Sequence, residues 1–361
     1  RRFWFVFALI HKVGFTRKKY DKNKKLIWGS VVSMAVCCGE NQILSTSLSI
    51  KDRIGSWKAR WGIGRMEYSI DPGLYSVGSP HEHSPILVTS NYKMTVDRVR
   101  KNLGGRDLWL MILDTEGINV WCAAGKGTFG TAELVYRINE SELREKVTHR
   151  ELILPQLGAT GVSAHEVRKR SGFKVIYGPV RAEDIPYFLD NGLTLKADMR
   201  KVRFTILDRL VLTPVEIVIA MELMLKVFGA MAIFSALGIL PVERADYLGL
   251  LGAILMGALI SPLLLPWIPG RAFSFKGMLT GLIWAISASL FLFSKGIANW
   301  LQLFSYMLIL PSLSAFFTMN FTGSSTYTSL SGVEKEMKTA LPLIIAALTA
   351  GTIIRIVSYY I

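Results

Sequence analysis

Asn119-Val120-Trp121-Cys122-Ala123-Ala124-Gly125-Lys126-Gly127-Thr128 puts a thiol, an ammonium and two glycines into one short run, and several chemistries compete for it. A Walker phosphate loop needs a glycine five residues before the Gly-Lys pair and Ser or Thr directly after the lysine. Val120 stands at the first of these positions and Gly127 at the last, so a Walker loop is rejected. The dinucleotide pattern G-x-G-x-x-G fits Gly125, Gly127 and Gly130, but no acidic residue ends a following strand in the place that pattern requires. What remains is the thiol. A cysteine just ahead of a glycine-rich helix start, beside Lys126, sits in positive potential, which favours thiolate. The plainer alternative is a small, buried, hydrophobic cysteine.

Alternating strands and helices must position this run. PILVTSNY from Pro85 reads as a strand, TVDRVRKNLGG as a helix capped by Thr95, and DLWLMILD as a buried strand. After the DTEG turn, INVWCA continues extended and GTFGTAELVYRI gives a helix. RELILPQL, FKVIYGPV and VRFTIL read as further strands. VSAHEVRKRSG, capped by Ser163 and stopped by Gly172, and AEDIPYFLDNG read as helices between them. This predicts an α/β fold with a mostly parallel sheet and helices on both faces. Ligands of such sheets bind beyond the carboxyl ends of the strands, which selects the loops 119–130, 156–162 and 177–181.

The second half differs in kind. Hydrophobic residues are 51% of the 361, mean hydropathy is positive, and the long apolar runs lie after residue 215. Five spans are expected, at about 215–240, 247–268, 277–293, 297–319 and 340–360, which makes an all-α transmembrane part of five helices. Thr213 and Pro214 read as the opening of the first span, and Glu222 and Lys226 as a helical ion pair. VEKEMK reads as a short charged helix in the loop 322–339, and Arg355, deep in the last span, as a residue that snorkels. Gly277 and Gly281 form a GxxxG of the kind that packs helices. The expected organisation is a poorly defined extension at 1–46, a soluble part at 47–208 and a membrane part at 209–361.

Net charge is +15. No zinc-finger, helix-turn-helix or RNP pattern accompanies it, so nucleic acid is not the expected partner. Lys196, Arg200, Lys201, Arg203 and Arg209 precede the first span, and Arg271 and Lys276 follow the second. By the positive-inside rule the α/β part is cytoplasmic and the chain is a multi-pass protein of the inner membrane, with its carboxyl terminus outside. Cys37, Cys38 and Cys122 are too few for a disulfide framework or an iron–sulfur cluster, so low-potential electrons would come from another protein. Residues 26–39, after a basic stretch, resemble a signal-peptide core but are read here as a badly ordered extension.

Residues 119–126, Asn-Val-Trp-Cys-Ala-Ala-Gly-Lys, resemble the cap-helix motif of the mercury-methylating corrinoid protein family, HgcA. SWKARWGIGRMEYSIDPGLYSVG at 56–78, GKGTFGT at 125–131, residues 149–192 and the five-span region resemble that family too, from about Ser47 to Ile361. More distantly, the soluble part is similar to the corrinoid domain of the corrinoid iron–sulfur protein of the acetyl-CoA pathway, without its cluster cysteines. The resemblance implies a Rossmann-like corrinoid-binding domain, a cobalamin-type cofactor and Cys122 as the lower axial ligand of cobalt. A histidine ligand of the D-x-H-x-x-G type is absent, because none of His11, His81, His83, His149 and His165 has Asp two residues before it.

Asn119, Val120, Trp121, Cys122, Ala123, Ala124, Gly125 and Lys126 are then the first cofactor contacts. Gly158, Ala159, Gly161 and Val162 form a small-residue loop suited to a large flat macrocycle, and Tyr177, Gly178 and Pro179 repeat that situation. As plain turns these loops would look the same. His81-Glu82-His83 and Cys37-Cys38 are weaker metal candidates. The family implies methyl transfer from cobalt to inorganic Hg(II), an HgcB-like dicluster ferredoxin as electron donor and a one-carbon pathway protein as methyl donor. A membrane-bound corrinoid methyl carrier of one-carbon metabolism, and a transporter with a soluble regulatory domain, are the competing readings.

Overall fold

Residues 42–240, 242–324 and 330–361 are described by a computed structural model; Cys37, Cys38 and the apolar run at 26–39 lie outside the described residues. The strands are β1 (Gln42–Ile43), β2 (Gly73–Val77), β3 (Ile86–Ser90), β4 (Leu108–Leu113), β5 (Glu151–Leu154) and β6 (Lys174–Tyr177), in the sheet order β1-β2-β4-β3-β5-β6. The pairs β3–β4, β3–β5 and β5–β6 are parallel, and β2 runs antiparallel to β4.

All six residues of β4 are buried, and its alternation divides two cores. Trp109, Met111 and Leu113 join Ile86, Val88, Phe129, Leu134 and Val167 on one face. Leu108, Leu110 and Ile112 join Val77, Val96 and Leu103 on the other. Helices therefore cover both faces, as the alternation predicts. They are α1 (Ile50–Arg60), α2 (Lys93–Lys101), α3 (Val120–Lys126), α4 (Thr131–Glu140), α5 (Leu143–Lys146), α6 (Ala164–Ser171) and α7 (Ile185–Asp190).

Three local expectations are corrected. INVWCA is not extended: Val120–Lys126 is helix α3, because the Asn119 side chain caps it. Thr95 is not a cap; α2 starts at Lys93, and the Thr95 N–H already donates to Tyr92 O within the first turn. VRFTIL is not a strand. Thr205 and Asp208 form a capping box that commits the chain to a helix from Ile206. By contrast, Ser163 and Gly172 cap and end α6 as expected.

The helical part follows in five helices long and apolar enough to cross a membrane: α8 (Ile206–Ala236), α9 (Arg244–Leu264), α10 (Phe273–Ser294), α11 (Trp300–Asn320) and α12 (Leu330–Tyr360). The first begins at Ile206, not after Thr213. Pro214 lies inside it and cannot donate to Leu210 O, and the Thr213 hydroxyl donates there instead at 2.9 Å. VEKEMK is not a separate helix but the opening of α12, where Glu336 accepts from the Ser274 N–H. Lys226 pairs with Glu222 at 2.9 Å. Gly277 and Gly281 let α10 approach α11, since a Cβ at either would strike Ser314.

Arg355 does not snorkel. Its guanidinium grips Asp246 of α9 with two bonds of 2.9 Å, and Tyr306 of α11 donates to the same carboxylate at 2.8 Å. This cluster lies at the end of the bundle away from the α/β part, level with Glu243 and Asn299.

Candidate functional site

The site is set by where the helices change faces. After β3 the chain enters α2 over one core, and after β4 and β5 it enters α4 and α6 over the other. The loops leaving neighbouring β3 and β5 therefore part in opposite directions, which opens a crevice at the carboxyl edge of the sheet. Residues 91, 114–127 and 155–162 meet there.

Asn91 organises this edge. Buried just past β3, its Oδ1 accepts from the Thr115 N–H at 3.1 Å, the Thr115 hydroxyl at 2.8 Å and the Gly117 N–H at 3.0 Å. Its Nδ2 donates to Asp114 at 3.2 Å. The Thr115 hydroxyl also lies 2.7 Å from Ile118 O, so its one proton serves either acceptor. These bonds fix the turn that delivers Asn119, whose Oδ1 accepts from the Cys122 N–H at 2.9 Å. Cys122 thus sits in the first turn of α3, half-buried, with Ala123 and Ala124 turned into the core and Gly125 and Lys126 exposed. Trp121 is half-buried on the same short helix.

The two further loops meet α3. A Cβ on Gly161 would strike Phe129 O and come within 2.9 Å of the Ala124 Cα, and one on Gly158 would lie 2.5 Å from the Phe129 ring. The small residues at 158–162 therefore serve close contact with α3 and the turn that follows it. The Tyr177 hydroxyl donates to Val162 O at 2.8 Å, and the Gly178 N–H to Leu154 O at 2.7 Å. Burial pushes the Tyr177 phenol up, so it stays a neutral donor. Pro179 is buried beside them.

Two buried polar atoms at this edge, Ser90 Oγ and Gln156 Oε1, have no hydrogen-bond partner among the described residues; Tyr92 Oη has none either, but its ring lies among Tyr68, Arg65 and Arg60. Buried polar groups are nearly always paired, so Ser90 and Gln156 mark capacity for a ligand's polar groups. Burial pushes the Tyr92 phenol up, against the opposing pull of Arg65 and Arg60. Asn91, Thr115, Ser90 and Gln156 are the contributors that reading the sequence misses; only the small-residue loop next to Gln156 hinted at one of them.

His81, Glu82 and His83 do not converge on a metal. The His81 ring accepts from the His83 N–H at 3.2 Å, and the His83 ring meets the Thr148 hydroxyl at 2.7 Å. Among the described residues no three His, Cys, Asp or Glu side chains are grouped to hold an ion.

Residues 64–189, which contain the whole crevice, match the family described as CO dehydrogenase/acetyl-CoA synthase delta subunit, CdhD. The chain is similar to acetyl-CoA decarbonylase/synthase complex subunit gamma of Methanopyrus kandleri, with 33% identity over 136 residues, 37% of this chain and 29% of that protein. The subunit gamma of Archaeoglobus fulgidus is 32% identical over 130 residues, 36% of this chain and 27% of that protein. Subunit gamma 2 of Methanosarcina thermophila is 31% identical over 132 residues, 36% of this chain and 28% of that protein. The chain spans less than a third of the length of these relatives. The likeness falls on the α/β part; the five apolar helices lie beyond it.

Proposed function

We propose that the chain is a membrane-held corrinoid protein that carries out methyl transfer, with Cys122 beneath the cobalt. The observation that carries this reading is the half-buried Cys122 in the first turn of α3, at the sheet's carboxyl edge and inside the stretch matched to the CdhD family. The unpaired Ser90 and Gln156 atoms fit the amide-fringed rim of a corrin, and Asn119–Lys126, 158–162 and 177–179 are the residues that would surround it. A bound corrinoid would supply a cobalt centre with methyl-transfer chemistry. The chain's own part is to offer a soft sulfur donor, hold it through the Asn91–Thr115–Asn119 relay and cover the rim with its glycine loops.

The acceptor divides two readings. The names of the relatives favour a methyl carrier of one-carbon metabolism, working with proteins of an acetyl-CoA decarbonylase/synthase type. The eight-residue run Asn119–Lys126 favours inorganic Hg(II), since it resembles the mercury-methylating family and a thiolate donor favours departure of methyl with its electrons. In that reading a dicluster ferredoxin supplies electrons and a one-carbon protein supplies methyl. Both readings expect the purified chain to bind cobalamin and change its visible spectrum; no spectral change would remove both. Methylmercury formed from Hg(II) with the ferredoxin present selects the mercury reading. Transfer only to a one-carbon acceptor selects the carrier.

For sidedness we infer a cytoplasmic α/β part. Arg203, Arg209, Arg271 and Lys276 gather where the bundle joins it, against Arg244, Lys295 and the Asp246-paired Arg355 at the other end. A reporter active only outside the cytoplasm should give signal when fused after Ile361 and none when fused near Thr205; the reverse pattern overturns the orientation.

A further inference from the structure

Helix α1 presents an apolar stripe that nothing in the described chain covers. Ile50, Ile54, Trp57 and Trp61 recur at i, i+4, i+7 and i+11, the spacing of one helical face, and all four are exposed, Ile50 by 75% and Trp57 by 58%. Ile63 and Met66, just beyond the helix, extend it. At 100° per residue, Lys51 and Lys58 fall along one flank of the stripe and Arg53 and Arg60 along the other. No acidic residue lies on either flank. The single carboxylate of α1, Asp52, is turned to the opposite side.

That opposite side is fixed. Asp52 bonds Lys93 at 2.6 Å and Arg100 at 2.8 Å, and Asp97 bonds the same two cations. Although burial alone would raise it, the bonds from Lys93 and Ser49 hold the Asp52 carboxyl well below the usual range, so the clasp stays charged. Gly55 is seated on the Tyr68 ring, which a Cβ there would strike, and Ala59 is fully buried. The helix cannot roll its stripe inward without breaking these contacts.

We propose that α1 lies in the interfacial layer of the membrane, its stripe among the acyl chains and its exposed Lys51, Arg53 and Lys58 on anionic headgroups. Three features support lipid as the occupant. The stripe is flanked by cations on both sides, with tryptophans at its centre, as in helices that lie in the membrane plane. The surface is continuous with the first apolar helix: α1 packs on α8, and a Cβ added at Gly62 would touch a Val215 methyl at 3.8 Å. Charge complements anionic lipid, which attracts basic residues close to a membrane span. The inference rests on reading α8–α12 as membrane spans.

The test places the photo-crosslinker p-benzoylphenylalanine in the full chain, in place of Trp57 in one preparation and of Ile54 in a second. The protein is reconstituted in vesicles of phosphatidylcholine with phosphatidylglycerol and adducts are read by mass. Leu290, exposed on α10, is the positive control for a span, and Tyr136, exposed on α4, is the negative one. Positions 54 and 57 should give phospholipid adducts and 136 none, and omitting phosphatidylglycerol should lower the yield at 54 and 57 severalfold while leaving 290 unchanged. Adducts at 290 with none at 54 and 57 overturn the inference and leave the spans standing; no lipid adducts at any position overturn both. Adducts at 54 and 57 to a second copy or to another protein also overturn it, as does a yield indifferent to the anionic lipid.

Discussion

Two polar clusters sit in otherwise apolar surroundings, one at the carboxyl edge of the sheet and one at the far end of the helical bundle, and they are finished differently. At the far end, Arg355, Asp246, Tyr306 and Gln302 bond one another, and Glu243 closes the ring. A cavity of about 470 Å³ lies against Glu243, Gln302 and Arg355, yet the polar groups of these three already have partners within the chain. At the sheet edge, Asn91 and Thr115 are saturated by the loop they hold, while Ser90 and Gln156 beside them keep unpaired atoms. The contrast separates a clasp from a binding edge. The clasp ties α9, α11 and α12 together, and the edge keeps polar capacity for something the chain does not supply.

The largest stability effect should come from breaking the clasp on one side. Asp246→Leu or Arg355→Leu leaves a buried charge without its partner, at a cost of about 3–5 kcal/mol. The unfolding midpoint in detergent should fall sharply for either single change. The Asp246→Leu, Arg355→Leu double variant should lose less than either single one, and additive losses would show that the pair is not coupled. Cobalamin binding by whatever protein remains folded should be unaffected.

Next comes Gly161→Ala. The added methyl meets backbone at Phe129 and Ala124, which has no side-chain freedom to give way, so α3 must shift. A loss of about 1–3 kcal/mol is expected, together with a change in the spectrum of bound cobalamin. Unchanged stability and spectrum would mean that the loop and α3 are not in register as described. Asn119→Ala should act more gently. It removes the bond to the Cys122 N–H, a cap worth about 1 kcal/mol. Methyl transfer should drop while Asn119→Asp, which keeps an accepting oxygen, retains most of it; equal loss in both variants would argue against a capping role.

The sequence carried β3 to β6, with β3 and β4 short buried runs between clear stops, but not β1 and the antiparallel β2 at the sheet's edge; it carried the spans because hydropathy needs no partner information. Failures occur where the deciding contact is distant or where two local signals conflict. VRFTIL has the alternation of a strand, but the Thr205–Asp208 capping box wins. Arg355 looks like a snorkelling residue until Asp246, more than a hundred residues earlier, is placed beside it. At the site, Cys122 and its glycine-rich neighbours stand out by type. Asn91 does not, because its three accepted bonds come from residues 24 and 26 positions later, in a turn with no regular pattern. Helix α1 was legible but went unread: Ile50, Ile54, Trp57 and Trp61 keep the spacing of one helical face, and Ser49 and Asp52 form its capping box.

Cys122→Ala removes the sulfur and little else from a half-buried position whose cap bond is to the backbone, so it isolates the role of the thiol as a cobalt ligand. The paired readout is the visible spectrum of bound cobalamin and the yield of methyl transfer, to Hg(II) with a dicluster ferredoxin present and to a one-carbon acceptor. Cobalamin should still bind through the surrounding loops, its spectrum should depart from that of the unsubstituted protein, and transfer should fall to background, with Cys122→Thr behaving alike. A Cys122→Ala protein with the original spectrum and the original yield would contradict that role, leaving the thiol as a packed side chain and no ligand of cobalt.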